Sequence, residues 1–131
     1  MTAPVHQARR EILLLEPSSM TGSIIVATAR QLGLLHVRQV NSVRHAQAQL
    51  QSASIGSMIV SLDEAAETVD LLQKLRASEF AAPPDMPVAI TTSLIDADTA
   101  ERLKALRVRR ILIKPFKVRN VISAIEILVA S

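Results

Sequence analysis

Cysteine, tryptophan and tyrosine are absent from this 131-residue sequence, and Phe80 and Phe116 supply its only large rings. Without cysteine there are no disulfides and no thiolate metal ligands, and nothing points to an oxidising compartment. Without large rings the interior has to be filled by Leu, Ile, Val and Ala, which suits helices packed on a parallel sheet. No run approaches the roughly 20 apolar residues of a membrane span, and Met1 to Arg10 lacks the apolar stretch of a signal peptide. A soluble, cytoplasmic protein with no membrane partner is expected. The three glycines, Gly22, Gly33 and Gly56, stand apart, so no glycine-rich loop cradles a phosphate. No nucleophile–base pair stands out, and an enzyme is not expected. His6, His36 and His45 have no metal-ligand spacing and read as surface or edge residues, so no metal site is expected.

What is present is apolar: hydrophobic residues make up 49% of the chain, enough for one domain with a sizeable core. Residues 1–10 are polar and read as a frayed end, which leaves 11–131 as the domain. Glu11 to Glu16 reads as a buried strand ended by Pro17. Ser18 or Ser19 then caps a helix to about Leu32, with Ile24, Ile25, Thr28 and Leu32 as its inner stripe and Gly33 as its end. His36 to Val40 reads as an edge strand, followed by a helix capped by Asn41 or Ser42 that carries Val43, Ala46 and Leu50. Ser57 to Leu62 is a third strand, after which Asp63 and Glu64 open an acidic segment. A helix from Thr68 to Ala77 follows, then a loop over Ala81 to Asp85 and a strand from Pro87 to Thr92. Asp96 or Asp98 caps a helix with Leu103 and Leu106 inward. The last helix runs from Val118 to Val129, with Val121, Ile122, Ile125 and Leu128 facing the core. Five strands alternating with five helices imply a five-stranded parallel sheet with helices on both faces, a doubly wound three-layer α/β sandwich.

The organising stretch is Ile111-Leu112-Ile113-Lys114-Pro115-Phe116, a fifth strand. Proline has no N–H for a ladder and restricts the residue before it, so the strand stops at Lys114. Lys114 therefore stands at the carboxyl end of a strand, where ligand sites of open α/β sheets form.

Charge is unevenly placed along the chain, whose net value is +3. Residues 63 to 101 hold nine of the twelve acids, and residues 102 to 119 hold eight of the fifteen bases and no acid. The bases are Arg102, Lys104, Arg107, Arg109, Arg110, Lys114, Lys117 and Arg119.

From Ile12 to Ala130 the chain resembles the CheY-like receiver domains of two-component signalling. The segment Pro87 to Ser93 is similar to that family's fourth strand, and Lys114-Pro115-Phe116 to its lysine-proline motif. Thr92 and Lys114 lie 22 residues apart, as the family's threonine and lysine commonly do. The resemblance implies a (βα)5, flavodoxin-like fold. It also implies a site in which an aspartate ending the third strand accepts a phosphoryl group, acids after the first strand hold Mg²⁺, and the threonine and lysine contact the phosphoryl oxygens.

The residues at those positions depart from the pattern. The acidic pair is represented by Glu16-Pro17, with one carboxylate and one ring. Leu62 falls at the acceptor position and has no nucleophile. Asp63 lies one residue later, where strand alternation redirects the side chain. Ile111 stands at a switch position where receivers often carry an aromatic residue. These changes together read as a pseudo-receiver of the phosphorelay class, stand-alone and independent of phosphorylation, with Mg²⁺ not required. The alternative is residual phosphoacceptance at Asp63. Lys114 either snorkels to water or forms a standing ion pair with Glu16. Thr92 either retains its family role or only caps its strand.

The resemblance further implies a docking face built from the fourth helix, fifth strand and fifth helix, here basic through Arg102, Lys104, Arg107, Arg109, Arg110, Lys117 and Arg119. An acidic protein partner follows from the charge, and like charges oppose self-association, so a monomer or weak dimer is expected. The bland reading is a solvated face. A cyclic dinucleotide clamped by Arg107, Arg109 and Arg110 is an alternative ligand. DNA is not expected, because the chain carries no helix-turn-helix.

Overall fold

A computed structural model describes residues 11–34, 36–63 and 65–130. The expectations for Met1 to Arg10, His6 and Glu64 lie outside these residues. The elements in chain order are β1 (Glu11–Leu15), α1 (Ser19–Gln31), β2 (Val37–Val40), α2 (Val43–Gln49), β3 (Ile55–Ser61), α3 (Ala65–Arg76), β4 (Val88–Thr92), α4 (Ala97–Ala105), β5 (Arg110–Ile113) and α5 (Val118–Ala130). The strands form one parallel sheet in the order β2-β1-β3-β4-β5. This is the doubly wound α/β architecture that alternating strands and helices predict. β2, the expected edge strand, is an edge, and β5 is the other.

Alternation along the strands sorts the core into two layers. Leu13 and Leu15 of β1, Met58 and Val60 of β3, and Val88 and Ile90 of β4 face Ala46 and Leu50 of α2, Leu71, Leu72 and Leu75 of α3, and Leu103 of α4. Ile12, Leu14, Ile59 and Ala89 face the opposite way, against Ile25 and Ala29 of α1 and Val121, Ile125 and Leu128 of α5. Each such Leu or Ile, fully buried, contributes about 1.5–3 kcal/mol, so the phase of each helix is set by which residues it can hide.

That competition corrects the expected stripe of α1. Ile24 and Leu32 are exposed, while Gly22, Ile25, Thr28 and Ala29 are buried. The buried set follows the i, i+3, i+7 spacing that fits between the sheet and α5, and the Thr28 hydroxyl is satisfied by the Ile24 carbonyl at 2.7 Å. In α5, Ala124 takes the place expected for Ile122, which is only half-buried. α3 begins three residues before Thr68, because the Thr68 hydroxyl donates to the Ser61 carbonyl at 2.8 Å and anchors the helix from within.

Ser18, Ser42 and Asp96 are the N-caps, each accepting a backbone N–H three residues on. α1, α3 and α4 end in the same way: the residue after the cap is left-handed, and its N–H and the next fold back onto the last turn. Gly33 fills that position after α1, but Ser78 (φ 65°) and Arg107 (φ 62°) fill it after α3 and α4. Arg76 fastens these two ends to each other. Its guanidinium donates to the carbonyls of Leu106 at 2.9 Å, Pro84 at 2.8 Å and Met86 at 2.7 Å.

Candidate functional site

The site forms where β1, β3, β4 and β5 end. Continuing the alternation of Ile12 and Leu14 puts Glu16 on the α1/α5 side of the sheet, and the same step from Ala89 puts Thr91 beside it. β5 ends at Ile113, one residue earlier than expected, and Lys114 follows it with a cis bond to Pro115. The start of α1 and the ends of β4 and β5 thus converge on the carboxylate that follows β1.

Glu16 is only 2% exposed. Its Oε1 accepts the Thr91 hydroxyl at 2.6 Å. Its Oε2 accepts the Ser18 N–H, at the start of α1, at 3.1 Å and the Lys114 ammonium at 3.1 Å. The standing ion pair between Glu16 and Lys114 is therefore present. The helix N-terminus adds its own favourable field to the carboxylate. A buried charge needs a partner and hydrogen bonds to be tolerable, and Glu16 has both.

Leu62, at the position matched to a receiver's acceptor, is buried among Val60, Val69 and Leu72 in the α2/α3/α4 layer. Asp63 does not behave as alternation predicts. β3 ends at Ser61, Asp63 lies in the turn beyond with its N–H on the Ser61 hydroxyl at 3.2 Å, and its Oδ2 stands 3.8 Å from Lys114 Nζ. Alternation governs a strand and not the turn that follows it. The Asp63 side chain is 44% exposed, so this contact is loose and screened compared with that of Glu16.

Thr92 turns away from the site. Its hydroxyl donates to the Leu94 carbonyl at 2.8 Å and accepts the Leu94 N–H at 3.4 Å, capping the strand end. Thr91 is the residue that the sequence reading missed. Alternation sets Thr91 with Ala89 on one face of β4, but that this is the face of Glu16 depends on how β4 and β1 sit in the sheet. Ile111 is half-buried against the α2/α3/α4 core, away from Glu16.

Mg²⁺ takes oxygen ligands in near-octahedral array. Here Pro17 offers no side-chain oxygen, both Glu16 oxygens are taken, and the Lys114 ammonium occupies the approach between Glu16 and Asp63. Among the described residues no three carboxylate or imidazole groups converge. His45 instead pairs with Asn41 at 3.3 Å on the surface.

The charge blocks of the sequence do not become opposite poles of the molecule. Helices run back against the strands, so Arg102 and Lys104 in the last turn of α4, and Arg107 and Arg109 after it, sit at the amino end of β5. Lys114, Lys117 and Arg119 sit at its carboxyl end. The acids divide likewise, with Asp63, Asp96 and Asp98 at the carboxyl end and Glu79 and Asp85 at the other. Arg110, Lys117 and Arg119 line an open groove of about 360 Å³ together with Ile111, Leu112, Ile113, Pro115, Phe116 and Asn120.

No protein-family model matches this sequence, and no curated protein sequence matches it. Solved structures do match, and they define the class: the chain has the fold of response-regulator receiver domains. It is similar to the receiver domain of a two-component histidine kinase from Clostridium thermocellum, with a TM-score of 0.80, 14% identity, and 92% of this chain and 98% of that chain covered. It is also similar to the receiver domain of a putative LuxO repressor from Vibrio parahaemolyticus, with a TM-score of 0.77, 18% identity, and coverage of 93% and 91%. The chemotaxis protein CheY4 of Vibrio cholerae aligns with a TM-score of 0.76 and 17% identity over 90% and 97% of the two chains. At these identities the likeness is one of fold. No helix among the described residues is long and apolar enough to cross a membrane.

Proposed function

We propose that this chain is a pseudo-receiver, a receiver-fold interaction module that regulates a signalling partner without being phosphorylated. The observation that carries the reading is the closed Glu16 carboxylate, which holds Lys114 at 3.1 Å and Thr91 at 2.6 Å. In the receivers that this sequence resembles, the lysine contacts the phosphoryl oxygens. Here its recruitment would strand a buried carboxylate, a loss of about 3–5 kcal/mol. The module acts by binding rather than turnover, needs no Mg²⁺, and presents its bases on α4, β5 and α5 to an acidic protein partner.

The test is a two-dimensional amide NMR spectrum with and without Mg²⁺ and beryllofluoride, a mimic of an aspartyl phosphate. Unmoved resonances at Leu62, Asp63, Thr91 and Lys114 are expected. One observation favours a second reading, residual phosphoacceptance at Asp63: its carboxylate lies 3.8 Å from the Lys114 ammonium. Saturable, concerted shifts that vanish in Asp63→Asn would establish that reading and end the first.

A further inference from the structure

We propose that the free edge of β5 is a strand-addition site for an extended acidic segment of a partner protein. The inference rests on the reading above that the bases of this face meet an acidic partner, and it specifies how that partner is held. Among the described residues β5 shares its ladder with β4 alone, in the register Ala89 with Arg110 through Thr92 with Ile113, so its other side is a sheet edge whose backbone donors and acceptors face away from the ladder. Such an edge templates another strand, and backbone hydrogen bonding then supplies affinity while side-chain pockets supply choice.

Three features point to an acidic, extended occupant. The groove is lined by the apolar residues of β5 with Pro115 and Phe116, and by the bases Arg110, which opens the strand, and Lys117 and Arg119, which follow its close in the chain. Ile113 is 53% exposed at that edge, an apolar contact on offer to an added strand. A second copy of this face would bring Arg110, Lys117 and Arg119 up to the same bases of its neighbour, which disfavours self-pairing and leaves carboxylates as the complementary groups. Two acids four residues apart in an extended chain span about 13 Å, long enough to bracket the four residues of β5.

The probe is the capped pentapeptide Glu-Val-Thr-Val-Glu, compared with the same peptide N-methylated at alternate residues, which keeps its charge and loses ladder donors. The full chain is titrated by amide NMR with hydrogen exchange as a second readout. Expected are saturable shifts and slowed exchange at Arg110 to Ile113, with affinity about tenfold weaker for the methylated peptide, as befits the loss of one or two net hydrogen bonds. Equal binding of the two peptides overturns strand addition and leaves an electrostatic acidic partner. Absence of binding by both also overturns it. Poly-glutamate in low salt then reads the acidic-partner proposal separately, through shifts at Lys117 and Arg119 that Lys117→Glu with Arg119→Glu should abolish.

Discussion

Thr91 and Glu16, 75 positions apart in the chain, share a buried 2.6 Å hydrogen bond that joins the end of β4 to the end of β1. The bond is charge-assisted and shielded from water, so it is among the stronger polar contacts of the molecule. It also separates two adjacent threonines that look equivalent in the sequence.

Replacing Thr91 by Val removes the donor to a buried carboxylate and should cost about 1.5–3 kcal/mol in urea unfolding. Thr92→Val removes only a contact two residues away and should cost less than half as much. Equal losses would mean that the Glu16 network does not set stability at this end of the sheet.

Lys114→Met should be strongly destabilising, by about 3–5 kcal/mol, because it leaves the buried Glu16 carboxylate without its counter-charge, and Glu16→Gln should cost less, because Lys114 is partly exposed and keeps Asp63 at 3.8 Å. The double variant should recover more than 1 kcal/mol of the summed loss, a coupling that a double-mutant cycle reads directly. Additive losses would show two independent side chains.

Leu62→Asp puts a carboxylate at the position matched to a receiver's acceptor, yet among Val60, Val69 and Leu72. The expected outcome is a loss of several kcal/mol without gain of beryllofluoride binding, since the carboxylate enters the core layer and not the Lys114 cleft. A folded variant that binds beryllofluoride with Mg²⁺ would show that the cleft needs only a nucleophile.

Ser78 is held at φ 65°, where a β-carbon is strained and glycine is not. Ser78→Gly should therefore raise stability, by up to about 1 kcal/mol after the extra freedom of glycine in the unfolded chain is subtracted. Chemical denaturation measures it, with Gly33→Ala, at φ 80°, expected to move the opposite way.

The Asp96 carboxyl is held below its ordinary range, first by the Thr99 backbone N–H and then by the Thr99 hydroxyl. A carboxylate whose pKa is lowered by folding stabilises above its unfolded value, near 3.9, and that stabilisation is lost as pH falls through the folded value. Asp96→Asn should flatten this part of the acid limb in a pH series of melting curves. An unchanged limb would assign acid sensitivity to other carboxylates.

The order of elements was readable, as were the caps to within a pair of candidates each, Ser18 or Ser19, Asn41 or Ser42 and Asp96 or Asp98, because they depend on neighbours within a few residues. The Glu16–Lys114 pair was readable too, through the resemblance and the common placement of both residues at strand ends. Thr91 and the inner face of α1 were not, since each depends on which of two adjacent side chains another element covers. The direction of the Asp63 side chain was misjudged because alternation was carried two residues past the end of β3.

By itself the sequence determined the layer architecture, since periodicity, proline stops and caps act locally and leave few ways to bury so much Leu, Ile and Val. It also determined that Leu62 carries no nucleophile and Pro17 no side-chain oxygen, because side-chain chemistry does not depend on the fold. Only the tertiary structure decided that Thr91 rather than Thr92 completes the Glu16 site, and that the charge blocks divide between the two ends of the sheet. The reason is geometric: strand ends and antiparallel helices bring together residues far apart in the chain, and a shift of one residue exchanges the two faces of a strand.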